Sequence, residues 1–193
     1  MDDNITYKES VVEQIRYFSA DEKTRFIGYN TINGSRMYGT LDNIPAEQCV
    51  EMPVCENLMV GMAVGMALEG YKPVVCFERH DFMLIAMDAL VNHADKMRQI
   101  SGGQCRLPII VRAIVGAKEP LNPGLQHTQD YTRCLRDMLQ FSEVVEPMSP
   151  WMMKQAWREK PKWTPSGVVV IVEHRDRYTW TSGFAAETFK PTK

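Results

Sequence analysis

Three short apolar runs constrain this chain most: Pro73–Phe77 (PVVCF), Pro108–Val115 (PIIVRAIV) and Val168–Glu173 (VVVIVE). Each has the length of a strand, and none alternates polar with apolar positions, so both of its faces must be covered. Between them lie segments of helical character. Ile5–Ser19 carries a stripe of Val11, Val12, Ile15 and Phe18, and Glu56–Glu69 is closed by Gly70 as a C-terminal stop. Phe82–Ile100 reads as a second long helix ended by Ser101-Gly102-Gly103, with shorter helices at Asp130–Leu139 and Pro150–Lys160. Thr24–Tyr29, Gln48–Val54 and Glu143–Glu146 read as short extended pieces, and Thr31–Ala46 and Gly116–Gly124 as loops. Strands alternating with helices predict an α/β fold: three layers, a mostly parallel sheet, helices on both faces. Ligands in such sheets sit at the carboxyl ends of the strands. That rule gathers Val54–Glu56, Glu78–Phe82 and Gly116–His127 at one rim.

At 193 residues the chain is read as one domain over residues 1–180 with a polar tail at 181–193. A net charge of −2 gives no bulk attraction to nucleic acid or anionic membrane. No apolar run is long enough to span a bilayer, and the acidic Met1-Asp2-Asp3-Asn4 is unlike a secretory signal. Five scattered cysteines without a CxxC read as reduced thiols of a cytoplasmic protein. Thirteen methionines are read as adaptable core and interface filler. Walker-type and dinucleotide-type glycine motifs, serine elbows and His-Glu-x-x-His are all missing.

Glu56 stands where an extended segment turns into a helix, and on position alone it is a first-turn charge favoured by the helix dipole. The next turns of that helix, Gly61-Met62-Ala63-Val64-Gly65-Met66-Ala67, have almost no polar face and must be buried centrally or in an interface. Gly61 and Gly65, one turn apart, permit close backbone approach. A carboxylate leading such a helix is poorly solvated, which suits an acid that exchanges protons near neutrality. His80 and Asp81 come after a buried strand and read equally as a surface turn with a cap. His127, after a Pro/Gly loop, is by default a surface residue with a minority prospect of chemistry. His93 and His174 are read as structural.

Taken together these segments resemble the pyrimidine-binding domain of the beta subunits of pyruvate and branched-chain 2-oxo acid dehydrogenases, a domain shared with transketolase. The resemblance spans roughly residues 5–175 and rests on six blocks in order: MPVCENLMVGMAVGMALEGYKPVVCF, AMDALVNHADKMRQISGG, LPIIVR, GLQHTQ, the SP at 149–150, and VVVIVE. It implies the thiamine-diphosphate-binding fold. Glu56 then matches the glutamate that contacts a ring nitrogen of the cofactor's aminopyrimidine and favours its imino form. Phe82 matches an aromatic residue on the pyrimidine face, Val54 and Glu78 match flanking positions, and His127 matches a histidine at the substrate end. Arg79 and His80 replace a more neutral segment and are substrate-side candidates, and Tyr29-Asn30 stand where the family carries acidic residues.

The resemblance also implies partners. The family's glycine–aspartate–glycine…asparagine motif for Mg2+ and diphosphate is missing, so an alpha-type subunit is expected to bring the metal site. An alpha2-beta2 assembly with self-association through the Gly61/Gly65 region is expected, without the C-terminal transketolase domain. The predicted activity makes or breaks a C–C bond next to a carbonyl, as a 2-oxo acid dehydrogenase or decarboxylase subunit. The alternatives are a transketolase-like two-carbon transfer to a sugar, and a non-catalytic assembly subunit.

Overall fold

The computed structural model describes residues 5–181. Six strands form one sheet in the order β2-β1-β3-β4-β6-β5, every pair parallel. They are β1 (Thr24–Gly28), β2 (Cys49–Glu51), β3 (Lys72–Phe77), β4 (Ile110–Val115), β5 (Glu143–Val145) and β6 (Val169–His174). The apolar runs thus become the central strands, as predicted, each ending within two residues of its expected bounds.

Side-chain alternation along each strand divides the interior into two cores. Val75 and Phe77 of β3, Val111 and Ala113 of β4, and Val170 and Val172 of β6 pack under helix α2 (Glu56–Leu68) and the segment from Phe82 to Ala94. The opposite registers, Val74, Cys76, Ile110, Ile114, Val169 and Ile171, pack under α1 (Tyr7–Ser19) and α4 (Pro150–Arg158). A shorter helix, α3 (Thr132–Met138), precedes β5. α1 starts on a capping box in which Thr6 and Glu9 exchange hydrogen bonds.

Arg112 and Glu173 lie on the second core's face and neither is exposed. Two parallel bonds join them, Nε to Oε1 at 2.7 Å and a terminal guanidinium nitrogen to Oε2 at 2.9 Å. The Tyr178 hydroxyl donates to Glu173 and Thr40 accepts from Arg112, so the buried charges are satisfied.

Two segments differ from the sequence expectation. Phe82–Ile100 follows a helical path but is not a uniform α-helix: Phe82–Ala86 is 3-10, Asp88–Ala94 is π, and Met97–Ile100 is one α turn. The buried Asp95, where the π stretch ends, explains part of this. Its carboxylate accepts backbone N–H bonds from Gln140, Phe141 and Ser142 and pins the approach to β5. The region read as a plain loop, Thr31–Ala46, contains a left-handed turn at Arg36–Gly39, with φ of 44°, 52°, 57° and 75° in succession. Met37 and Leu41 bury their side chains completely from that turn.

No helix among the described residues is long and apolar enough to cross a membrane. The five cysteines are free. The polar tail expected from residue 181 lies, after Thr181, outside the described residues.

Candidate active site

Three loops meet at the carboxyl rim of the sheet: residues 29–35 after β1, 78–82 after β3, and 116–131 after β4. Glu51, at the end of β2, fixes the first of them. Its carboxylate accepts from the backbone N–H groups of Asn30, Thr31 and Ile32 at 2.6–2.8 Å, which outweighs burial and holds its pKa low. Glu78 ties the same loop to β3 by accepting from the Asn30 side chain at 2.7 Å and from the Ser35 hydroxyl. The third loop is anchored by Asp81, whose carboxylate accepts from Gln129 through both backbone and side chain. Gly116 permits its close return, since a Cβ there would stand 1.9 Å from the His127 carbonyl oxygen.

Within this frame Glu56 is 2% exposed, and its Oε1 has no hydrogen-bond partner among the described residues. A buried acceptor without a donor is costly in a finished protein. Tyr29 adjoins it. Burial raises the phenol's pKa, and the charges of Glu56 and Glu78 raise it further. The Tyr29 hydroxyl is likewise buried and unpartnered. Phe82 packs against Tyr29 with ring centroids 6.5 Å apart and, edge-on at 5.3 Å, against His127. The buried His127 Nδ1 has no hydrogen-bond partner among the described residues.

The structure therefore gathers Tyr29, Phe82 and His127 into one line, with the buried Glu56 within electrostatic reach of Tyr29. Val54 is 71% exposed and so is not enclosed with them. Glu78 is spent on the Asn30–Ser35 loop, which makes it a positioning residue for the rim. Gly61 and Gly65 lie on the outer face of α2, where an added Cβ would meet nothing within 4 Å.

His80 is fully buried with neither ring nitrogen hydrogen-bonded. Its Nδ1 stands 3.7 Å from Asp130, whose second oxygen is 3.9 Å from His174 Nε2. His174 in turn lies 2.9 Å from Glu146, but not aligned for a hydrogen bond. Burial is the main cause that pushes both imidazoles below the ordinary histidine range, against the pull of these carboxylates. Sequence reasoning missed this cluster at His174, Asp130 and Glu146, since residues so far apart in the chain meet only through the pairing of β4 and β5 with β6. No group of three or more His, Cys, Asp or Glu among the described residues is placed to hold a metal ion.

Known proteins share this chain's family and fold. Residues 10–181 match the model of the transketolase pyrimidine-binding domain, and the chain belongs to that family. The pyruvate dehydrogenase E1 component subunit beta of Rickettsia bellii is 38% identical over 111 residues, 58% of this chain and 33% of that protein. The acetoin:2,6-dichlorophenolindophenol oxidoreductase subunit beta of Cupriavidus necator is 31% identical over 136 residues, 68% of this chain and 38% of that one. The chain thus spans little more than a third of the length of these relatives. A split-gene transketolase, solved as an inactive beta4 tetramer, shares the fold with a TM-score of 0.64 at 15% identity. That match covers 89% of this chain and 52% of the other. The thiamine diphosphate-dependent 4-hydroxybenzoylformate decarboxylase of Rhodococcus jostii RHA1 gives 0.62 at 19%, covering 94% and 33%.

Proposed function

We propose that this chain supplies the aminopyrimidine-binding half of a heteromeric thiamine-diphosphate enzyme whose active site is completed by an alpha-type chain. The observation that carries the reading is the orphaned Oε1 of Glu56, an acceptor held dry at the head of an apolar helix. An aminopyrimidine ring nitrogen that carries the shared proton donates to that acceptor, and Phe82 offers the flat apolar surface a heterocycle packs against. Thiamine diphosphate, when bound, supplies the carbanion stabilisation that the reaction requires. Glu56 holds and tunes the heterocycle through one hydrogen bond. His127 stands at the substrate end of the line, where its unpartnered Nδ1 is available for proton transfer or for stabilising developing negative charge. Val54 is assigned to the cofactor's flank once the partner chain covers it. Mg2+ and the diphosphate are assigned to ligands of that partner.

The substrate class that best agrees with the beta-subunit relatives is a 2-oxo acid, decarboxylated and passed on as an acyl unit. A transketolase-like transfer is the second reading, favoured by Arg79 and His80 at the rim. The outward face of α2 supports an alpha2-beta2 assembly: Leu58 and Leu68 are half exposed beside the bare backbone of Gly61 and Gly65.

The test is reconstitution with the chain that carries the diphosphate motif. Turnover of pyruvate, dependent on both chains, supports the first reading, and turnover of a ketose phosphate the second. Tight magnesium-dependent cofactor binding by this chain alone would refute the partner requirement.

A further inference from the structure

Arg175 is not used by the chemistry above and Arg79 enters only its second reading, yet the setting of the two is unusual. Arg79 lies just beyond β3 and Arg175 just beyond β6, so they flank the carboxyl end of β4, which runs between those strands. Both guanidiniums lie against the Tyr38 ring, with Arg79 Cζ 5.3 Å and Arg175 Cζ 5.0 Å from its centroid, and Arg175 Cζ is also 4.9 Å from the centroid of Tyr178. Arg79 also meets the Tyr38 hydroxyl. Neither arginine has a carboxylate within ion-pair distance among the described residues, although Asp and Glu pair with their neighbours Arg112, Arg136 and Arg177. Burial lowers the Arg79 pKa and the nearby Arg175 cation lowers it further, against Tyr29 and Asp81. Two like charges within electrostatic reach of each other, neither in an ion pair among the described residues, form an arrangement that an anion relieves.

The backbone beneath Tyr38 supplies a second, independent sign. Arg36, Met37 and Tyr38 all sit at positive φ, a conformation that residues with a Cβ rarely adopt. The turn is over-determined by its surroundings: Met37 and Leu41 are buried, and Glu51 and Glu78 clamp the loop before it. Strain of this kind gathers where a side chain must be presented in one orientation. Here the side chain presented is the Tyr38 phenol, between two unpaired arginines.

We propose that Tyr38, Arg79 and Arg175 form an anion subsite that takes a phosphoryl group. Two guanidiniums and a phenol offer donors on several sides of a tetrahedral dianion, more than a carboxylate can use. Arg79 lies close enough to Tyr29 to act on its phenol, and its guanidinium would be 3.6 Å from a Cβ on Gly116, so the subsite adjoins the Glu56 line. That the phosphoryl group belongs to a substrate rests on the thiamine-diphosphate reading; the subsite itself does not.

Inorganic phosphate, titrated into the full chain without cofactor, separates the two. By calorimetry at low ionic strength and neutral pH, one saturable site is expected, weakened at least tenfold in both Arg79→Gln and Arg175→Gln. Tyr38→Phe should weaken it less, and circular dichroism should show every variant folded. Acetate should compete at least tenfold less well than phosphate. Absence of saturable binding in the wild type, binding by the two arginine variants equal to the wild type's, or acetate as good as phosphate would each overturn the subsite. Because no thiamine diphosphate is present, these outcomes leave the Glu56 assignment to its own test.

Discussion

Among single residues, Glu173 and Arg112 show most plainly how burial sets the consequence of a change. With no water to compensate, removing one charge strands the other. Glu173→Gln should therefore destabilise by about 3–5 kcal/mol, read from urea unfolding. Replacing Arg112 and Glu173 together by Met and Leu should recover most of that loss, the remainder reflecting Tyr178, whose hydroxyl donates to Glu173. His80 and His174 behave differently because they are buried as neutral groups. Burial holds both below 6.5, so the unfolded chain takes up their protons more readily than the folded one. Stability is then intact above pH 6.5 and falls as pH drops from there through the lower folded values. Asp95 and Asp130 are held below 3.8 by hydrogen bonds that outweigh burial, so their contribution is lost only below that pH. Thermal melts between pH 7 and 5 should show the Tm falling, and His80→Phe should flatten that slope. An equal slope in the variant would remove His80 as its source.

The elements divide by what their sequence advertises. β3, β4 and β6 were legible because a parallel strand covered on both faces must be apolar throughout. α1 was legible because its stripe repeats with the helical period. Glu56 was legible as a helix start, but its isolation from any donor was not, since that depends on what packs over it. The irregular winding of Phe82–Ile100 left no local mark, because periodicity cannot separate 3-10, π and α turns over so few residues. The left-handed turn at Arg36–Gly39 was hidden for a stronger reason: only its last position carries glycine, and local preference argues against the rest. Tertiary contacts overrode that preference there. Asp95→Ala tests the matching claim for the segment before β5. It leaves the backbone donors of Gln140, Phe141 and Ser142 without their acceptor, a loss of about 3 kcal/mol. A Tm lowered by about 6–12 °C is expected for a chain of this size. A Tm within about 2 °C of the wild type would mean that these donors find other partners.

For the whole molecule, the proposed function makes the isolated chain one half of a site. Its sheet is fully layered and its two cores are closed, yet α2 turns Leu58, Gly61, Gly65 and Leu68 outward, and Glu56 lacks a donor. Gly61 and Gly65 have open space around them, so Gly61→Leu with Gly65→Leu should leave the monomer's Tm equal or higher, leucine being the better helix former. The same pair should abolish self-association in sedimentation velocity. An assembly unaffected by the two leucines would put the proposed interface elsewhere.

Glu56→Gln in the reconstituted complex bears most directly on what this chain does. The substitution keeps the shape of the side chain and changes only its charge and proton chemistry. Cofactor-dependent turnover should fall by at least about 100-fold, with Tm and assembly unchanged. Turnover within a factor of about two of the wild type would contradict the assignment, leaving Glu56 as no more than the charged first residue of a buried helix.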